Sequence, residues 1–207
     1  MLQLPPPFTE IVLREGGDAF ERAVAEAGAG AGAGLLVWVR RPDRLDCAVI
    51  LEPEETLAPA RHVILAGLAA IADALAAISP PEKPLVLAWP DRILFDGGLV
   101  GGARLGWPDG CAEDARPDWL VFDFQLRITA PEFSSPPPAA LVDEGFDDFE
   151  PGAFVESFAR HLMLALDGWS PQAALTHWRR YGQNEGAADL MSALKHPGWL
   201  VDGEIAA

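Results

Sequence analysis

The sequence predicts an α+β domain with a mixed, largely antiparallel sheet and helices mainly on one face of that sheet. Three apolar runs end at turn residues, as the strands of consecutive hairpins do; they are Leu85–Trp89, Arg92–Phe95 and Leu99–Trp107. Trp119–Ile128 alternates between two sets of side chains, which is typical of a strand. In Pro59–Ile78 the apolar residues recur with the period of a helix. Strands and helices interspersed in this way predict one sheet with helices packed on it.

The central strands carry two glycine signals. Asp96-Gly97-Gly98 favours a tight hairpin turn, because aspartate and glycine tolerate positive φ. The pair Gly101-Gly102 falls inside the third strand, where glycine is otherwise unfavourable. The pair therefore predicts that another group approaches the backbone closely at this point.

The other elements follow from capping and periodicity. Asp18–Ala27 is predicted as a helix, since either Gly17 or Asp18 can cap it and Glu21 stands three residues past Asp18, where a capping box needs an acid. The remaining predicted elements are two strands and two helices: Leu35–Arg40, Cys47–Leu51, Phe154–Leu166 and a final helix capped by Ser170.

No internal repeat or linker divides the chain, so we predict a single domain over residues 1–207. Residues 1–9 form an extended lead, and residues 131–150 form a proline-rich, then acidic, solvated loop. Residues 186–207 are a weakly patterned tail, in which His196–Gly203 either adds an edge strand or packs against the domain.

Charge and composition exclude several classes of partner. The formal charge is −16, which repels nucleic-acid phosphates and anionic membranes. No run of apolar residues is long enough for a membrane span, and the N-terminus lacks the basic region of a signal peptide. Cys47 and Cys111 show no CxxC spacing, and the histidines show no metal-ligand spacing. We therefore predict a cytoplasmic protein with no metal site and with neither nucleic acid nor a membrane as partner.

The central stretch resembles the biotin/lipoate protein ligase family. That family carries Lys-Trp-Pro-Asn-Asp at a strand end, then a hairpin, then a strand with a Gly-Gly or Ala-Gly step. The matching residues here are Trp89, Pro90, Asp91, the turn Asp96-Gly97-Gly98 and the pair Gly101-Gly102. The order of elements fits the family over residues 10–180.

The resemblance implies the biotin protein ligase fold, which is class II synthetase-like. It also implies a two-step reaction, in which ATP with Mg²⁺ activates the carboxylate of biotin or lipoate. The acyl group then passes to a lysine of a carrier protein. A small acyl ligand and a carrier protein are therefore the partners that the resemblance implies.

Two positions depart from the family pattern. The family's lysine falls on Ala88, and its last aspartate falls on Arg92. A cation at the lysine position would stabilise the negative charge that develops during adenylate formation. Alanine cannot do so, and the sequence therefore assigns no catalytic residue and predicts weak or absent ligase activity.

Other arginines are candidates for the missing cation. Arg104 lies two residues beyond Gly102 and so shares its face of the strand. It either holds a carboxylate or phosphate of a ligand or forms an ion pair with Asp91, Asp96 or Asp123. Arg92 and Arg127 are weaker candidates for the same role.

The segment Gly28–Gly34 corresponds by resemblance to the family's Gly-Arg-Gly-Arg-x-Gly-Arg loop, which closes over the acyl-adenylate. Here Gly30, Gly32 and Gly34 remain, but alanines replace the arginines. The segment is either a flexible lid without phosphate-binding charge or a plain connector.

We predict a ligand pocket beside Gly101 and Gly102. Asp91 either helps to hold Mg²⁺ with nucleotide phosphates or caps a turn, and Trp89 lies either beside the ligand or in the core. The full set of predicted ligand-binding residues is Trp89, Pro90, Asp91, Gly101, Gly102, Arg104, Gly30, Gly32 and Gly34.

Three functional hypotheses follow. The first is a divergent ligase-like protein, and the second is a non-catalytic protein that binds an acyl compound or acyl-adenylate. The third is an acidic protein-interaction domain.

Overall fold

The structure is a computed structural model that describes residues 2–131, 138–186, 190, 194, 197–201 and 204–206. Its main sheet has eight strands: β1 (Thr9–Leu13), β2 (Leu35–Val39), β3 (Arg44–Leu51), β4 (Leu85–Ala88), β5 (Arg92–Phe95), β6 (Gly98–Gly106), β7 (Leu120–Arg127) and β8 (Gly182–Gln183). They lie in the order β1-β2-β3-β7-β6-β5-β4-β8. The pairs β1–β2 and β4–β8 are parallel, and the other neighbours are antiparallel.

The helices whose bounds fall within the described residues pack on this sheet: α1 (Ala19–Gly28), α2 (Leu57–Ala60), α3 (Val63–Ala76), α4 (Pro151–Leu166) and α5 (Pro171–Trp178). The large core lies between the sheet and α2 to α5 and includes Phe122, Phe124 and Phe158. A smaller core lies on the opposite face, where Ala19, Ala23 and Ala27 of α1 pack against strand residues. The predicted α+β class, with helices mainly on one face, is confirmed.

Local signals correctly placed most of the elements. The Asp18 carboxylate accepts a hydrogen bond from the backbone N–H of Glu21 (2.8 Å), as predicted for a helix cap. Ser170 caps α5 in the same way, through Ala173 N (3.0 Å). In β7, Phe122 and Phe124 face the large core, and Asp123 faces the other side, as the alternation predicted.

Two predictions of secondary structure were incomplete. The helix predicted over Pro59–Ile78 is divided into α2 and α3, because the chain turns at Arg61 and His62. Arg61 is buried there, with its guanidinium 5.7 Å from the Trp107 ring. β1 was not predicted, since it follows the proline-rich lead and lies at the sheet edge.

The predicted acidic loop is only partly solvated. Ala140, Leu141 and Phe146 are buried, and the Phe146 ring lies 4.9 Å from that of Phe95. Asp147 and Asp148 stay exposed. Residues 132–137 of this loop lie outside the described residues.

Within the described part of the chain, one stretch is long and apolar enough to cross a bilayer. It is Leu57–Ala76, with a mean hydropathy of 1.3, and 78% of its most apolar part is buried inside the domain. It therefore packs as the central core helices α2 and α3.

The tail packs against the domain instead of extending the main sheet. Its strands β9 (Leu200–Val201) and β10 (Glu204–Ile205) form a separate antiparallel hairpin. Residues 187–189, 191–193, 195–196, 202–203 and 207 of the tail lie outside the described residues. The described part of the hairpin lies on the sheet face that also carries α1, which we call the α1 face.

Candidate functional site

A row of paired residues crosses the α1 face of the sheet. Ala88 pairs with Arg92, which pairs with Gly102, and this row continues through Gln125 to Asp46. Paired residues in a sheet point to the same side. The row therefore places Ala88 and Gly102 on one face, two strand spacings or roughly 10 Å apart.

The two glycines of the pair meet different neighbours. A Cβ atom on Gly101 would collide with the backbone carbonyl oxygen of Gln125, so this glycine permits β6 and β7 to approach closely. A Cβ atom on Gly102 would lie 2.5 Å from the indole of Trp199. The close approach predicted from sequence is thus made by a strand at Gly101 and by an aromatic ring at Gly102.

Trp199 occupies the space in which a ligand was predicted. Its side chain is fully buried, and its Nε1–H donates to the carbonyl oxygen of Ala103 (3.1 Å). Arg127 holds the following hairpin, because its Nη2 donates to the carbonyl oxygens of Ile205 (2.6 Å) and Ala206 (2.8 Å). We call Gly101 and Gly102 the glycine floor. The Trp199 side chain, near the end of the chain, therefore covers this floor at Gly102.

Arg104 lies on the predicted face, and an acid already binds it. Its Nε donates to Asp123 Oδ2 (2.7 Å), its Nη2 lies 3.9 Å from Asp18 Oδ1, and its guanidinium lies 4.1 Å from the Phe20 ring. Burial opposes the charge on Arg104, but attraction to Asp123 and, more weakly, to Asp18 and Asp46 raises its pKa. Of the alternatives left open by the sequence, the structure shows the ion pair with Asp123.

Four oxygens on this face are buried without a hydrogen-bond partner among the described residues. They are Asp46 Oδ1, Asp91 Oδ2, Asp123 Oδ1 and Gln125 Oε1. Burial raises the pKa of Asp46 and of Asp123. Repulsion from Asp18 adds to the effect on Asp46, and repulsion from Asp46 and Asp18 adds to the effect on Asp123. The site is consequently rich in carboxyl and amide oxygens, which accept hydrogen bonds from donors on whatever binds there when the carboxyl groups are ionised.

Asp91 is only 2% exposed and lies beside the indole of Trp199. Burial raises the pKa of Asp91 to about 6, although Arg92, the backbone N–H of Asp91 itself and the Trp199 indole each lower it. Its backbone oxygen accepts from Ala103 N (2.8 Å), which ties it to β6. A carboxyl group with a raised pKa at the centre of a site is a common mark of function.

The buried Asp91 should make stability depend on pH. Below about pH 4 the folded and unfolded chains both hold the proton, and between about pH 4 and 6 only the folded chain does. The free energy of unfolding is therefore expected to fall by about 2 to 3 kcal/mol from pH 4 to pH 8 through this group.

Asp91→Asn should remove that part of the pH dependence and stabilise the chain at pH 8. Urea denaturation of both proteins at pH 4.5 and pH 8 measures it. An identical pH dependence in the two proteins would show that Asp91 ionises without cost.

The other predicted site residues lie apart from Gly102. Trp89 packs toward the large core, edge-on against Trp178 with the ring centroids 5.3 Å apart, and Pro90 is buried beside it. Gly34 bonds to Ile50, so it lies about four residues or roughly 13 Å along β3 from the level of Gly102.

The glycines of the predicted lid border a different depression. A Cβ atom on Gly34 would lie 2.9 Å from the carbonyl oxygen of Pro7, Gly32 faces Glu52, and Gly30 has open space around it. Ala33 and Gly34 line a cavity of about 510 Å³ together with residues of α4. The structure therefore separates this segment from the glycine floor.

Sequence reasoning missed several residues of the site. Asp46 was left outside the predicted strand, and Trp199 lies in a tail with no periodic pattern. A usable signal existed for Asp123 and Gln125, because they interrupt a strand that is otherwise apolar. Among the described residues, no group of three or more His, Cys, Asp or Glu side chains is arranged to hold a metal ion.

The mixed eight-stranded sheet and its glycine floor define the class: a biotin protein ligase-like domain. Residues 4–182 match the model of the Biotin/lipoate A/B protein ligase family, and the chain belongs to that family. No curated protein shows significant sequence similarity to the chain.

Solved structures resemble most or all of the chain. A biotin protein ligase-like protein of unknown function from Silicibacter sp. is 27% identical, with a TM-score of 0.82 over 99% of this chain and 86% of that one. Apo biotin protein ligase from Aquifex aeolicus is 16% identical, with a TM-score of 0.67 over 85% and 78%. The Leishmania major enzyme in complex with biotinyl-5-AMP is also 16% identical, with a TM-score of 0.60 over 86% and 82%.

Proposed function

We propose that this family member binds a small neutral acyl compound on its α1 face and does not form acyl-adenylates. The observation that carries the proposal is the chemistry of the row around Gly102. Ala88 supplies no charge, Arg104 is held by Asp123, and Asp46, Asp91 and Asp123 each bury an oxygen without a partner among the described residues. Arg44 lies beside Asp46 and offsets the charge of that carboxylate. Such a surface binds hydrogen-bond donors in preference to acceptor-only anions.

ATP and Mg²⁺ do not fit these residues. A nucleotide with a carboxylate substrate brings several negative charges, and catalysis needs fixed cations where further charge develops. Arg127 is engaged by backbone carbonyls, and Arg92 is exposed, where water weakens its field. We therefore derive no step through ATP, biotin or lipoate adenylates for this chain, and the proposal requires no transfer to a carrier protein.

The absence of adenylation can be tested by ATP–pyrophosphate exchange. With biotin, lipoate or octanoate, we expect no exchange above background, and an active biotin protein ligase in the same assay is the positive control. Ala88→Lys tests whether the missing cation alone is limiting. Robust exchange by the wild-type chain would refute the loss of adenylation.

Binding is tested separately by thermal shift with matched acids and amides. Saturation at about 100 times Kd stabilises a protein by roughly 2.7 kcal/mol. We expect biotinamide and lipoamide to stabilise wild type or Trp199→Ala at least as much as biotin and lipoate do. A tenfold preference for the acids would instead assign the cation role to Arg92, and no shift with any compound would refute binding.

The charge of the chain favours a second candidate, an acidic protein-interaction domain. The formal charge of −16 is large for 207 residues, and exposed acids such as Asp147 and Asp148 line a cavity of about 360 Å³. Association with a basic protein that weakens steeply with salt, without small-molecule binding, would favour this function.

A further inference from the structure

We propose that the end of the chain is a removable intramolecular occupant of the site. We call residues 197–201 and 204–206 the C-terminal plug. In this proposal Trp199 fills a subsite for a flat ring with an N–H donor, and a small molecule of that class must displace the plug to bind. The inference rests on the proposed function for its ligand, but the movement of the plug can be measured without any ligand.

The contacts of Trp199 are those expected of a bound ligand. The indole lies flat against Gly102, where no side chain interferes, and it has no solvent exposure. Its single N–H group donates to the carbonyl oxygen of Ala103, and the carboxyl group of Asp91 lies nearby. A flat surface, a hydrogen-bond acceptor and full enclosure together select a planar ring with a donor at its edge.

The plug is attached so that it can leave as a unit. β9 and β10 pair with each other in a separate hairpin, and Ala206 N donates to the carbonyl oxygen of Trp199 (2.8 Å). The hairpin packs on β6 and β7 without extending the eight-stranded sheet. Its departure therefore breaks the bonds from Arg127, the contacts of Trp199 and the packing of the buried Ile205, but among the described residues it breaks no strand pairing of the main sheet.

The other tightly packed tryptophan behaves differently and serves as a control. Trp178 ends α5, is 1% exposed, and lies in the large core against Trp89. A Cβ atom on Gly182 would collide with the Trp178 ring, just as one on Gly102 would collide with Trp199. The two glycine–tryptophan contacts are thus matched in geometry but differ in whether the tryptophan can move away.

A covered site weakens ligand binding by a definite factor. The apparent Kd equals the intrinsic Kd divided by the fraction of molecules in which the plug is open. If the plug is open in about one molecule in a hundred, binding to wild type is about 100-fold weaker than binding to the open form. Mutations that release the plug should therefore tighten binding without changing the floor.

The decisive experiment compares Gly102→Ala with Gly182→Ala in the full chain. We expect Gly102→Ala to release Trp199, because the added methyl group occupies its place, while the domain stays folded. The loss in Tm should not exceed about 10 °C, which is what a 100-fold opening constant allows for a chain of this length, whereas Gly182→Ala should cost more because Trp178 is fixed in the core.

The indole N–H signals of ¹⁵N-labelled protein provide the readout, with Trp199→Phe used to assign the Trp199 signal. Fast hydrogen exchange at Trp199 in Gly102→Ala, with slow exchange at other buried indoles, supports the plug. Slow exchange at Trp199, or a Tm loss as large as that of Gly182→Ala, overturns it. Neither result depends on whether any acyl compound binds.

The ligand class is tested with Trp199→Ala and two probes, indole and 1-methylindole. Indole retains the N–H donor for Ala103 and Asp91, and 1-methylindole does not. We expect indole to raise the Tm of this variant clearly more than 1-methylindole does. Equal shifts, or none with indole, would overturn the assignment of a ring with a donor.

Discussion

Replacing Arg104 with methionine is expected to lower the free energy of unfolding by about 3 to 5 kcal/mol. Asp123 is completely buried, and Arg104 is bonded to it at 2.7 Å. Without the guanidinium, Asp123 must either stay charged in a poorly solvated place, beside a second buried acid, Asp46, or take up a proton, and either costs free energy. Urea denaturation at pH 7.5 measures the loss.

The same variant should lose less stability in acid. Burial raises the pKa of Asp123 well above its usual range even with Arg104 present, and removing Arg104 raises it further. A protonated Asp123 needs no counter-charge, so the penalty of Arg104→Met should shrink as the pH is lowered toward 4.5. A constant penalty across this range would mean that lost packing on Phe20, not lost charge, is responsible.

An exposed pair provides the control for this prediction. Arg22 and Glu26 form an ion pair at 2.6 Å on the surface of α1, with Arg22 45% exposed. Arg22→Met should cost less than about 0.5 kcal/mol, because water screens exposed pairs. In the double variant Arg104→Met with Asp123→Asn, more than half of the lost stability should return, since the unpaired charge is gone.

This prediction also decides the role of Arg104 in the site. If Arg104→Met is nearly neutral for stability, the guanidinium is not needed by Asp123 and is available to a ligand anion. The expected large loss instead makes Arg104 a structural cation. It would then have no spare charge with which to replace the lysine missing at Ala88.

The sequence sufficed for features that depend on neighbouring residues. Alternation placed Arg104 on the face of Gly102 and placed Asp123 opposite the core-facing phenylalanines of β7, and turn residues delimited β5 and β6. Sequence analysis failed where a contact between residues far apart in the chain determines the local structure. The apolar pattern of the sequence continues past Arg61 and predicted one helix. In the structure Arg61 is buried beside Trp107, and the chain there is divided into α2 and α3.

The candidate site was predicted only in part for the same reason. The resemblance directed attention to Gly102 and to Ala88 at the position of the family's lysine, and the strand register places both in one row. No local pattern could place Trp199 against Gly102, because the two residues are almost a hundred positions apart and the tail lacks periodicity. Burial of Asp91 likewise depends on this tail, so its raised pKa could not be inferred from the motif.

Replacing Gly101 with alanine is expected to cost more than about 3 kcal/mol or to prevent folding. The added methyl group would collide with the carbonyl oxygen of Gln125 and approach Leu126 Cδ2 to 3.0 Å. That carbonyl belongs to the backbone of β7 at the centre of the sheet, between β3 and β6, so it cannot move without disturbing both pairings. Circular dichroism, followed by urea denaturation of any folded material, measures the effect.

Gly28→Ala is the matched control, since Gly28 lies at the end of α1 and a Cβ atom there meets nothing within 4 Å. It should be neutral or stabilising by up to about 1 kcal/mol, because alanine favours the helix and restricts the unfolded chain. A Gly101→Ala variant as stable as Gly28→Ala would show that the approach of β6 to β7 tolerates a side chain.

The contrast with Gly102 gives this prediction its meaning. Both glycines are crowded, but Gly101 meets a fixed backbone, whereas Gly102 meets the side chain of a segment that we propose can leave. The penalty at Gly102 is therefore limited to the free energy of releasing the plug, and the penalty at Gly101 has no such limit. If Gly102→Ala proves as damaging as Gly101→Ala, Trp199 is an ordinary core residue and the α1 face is closed to ligands.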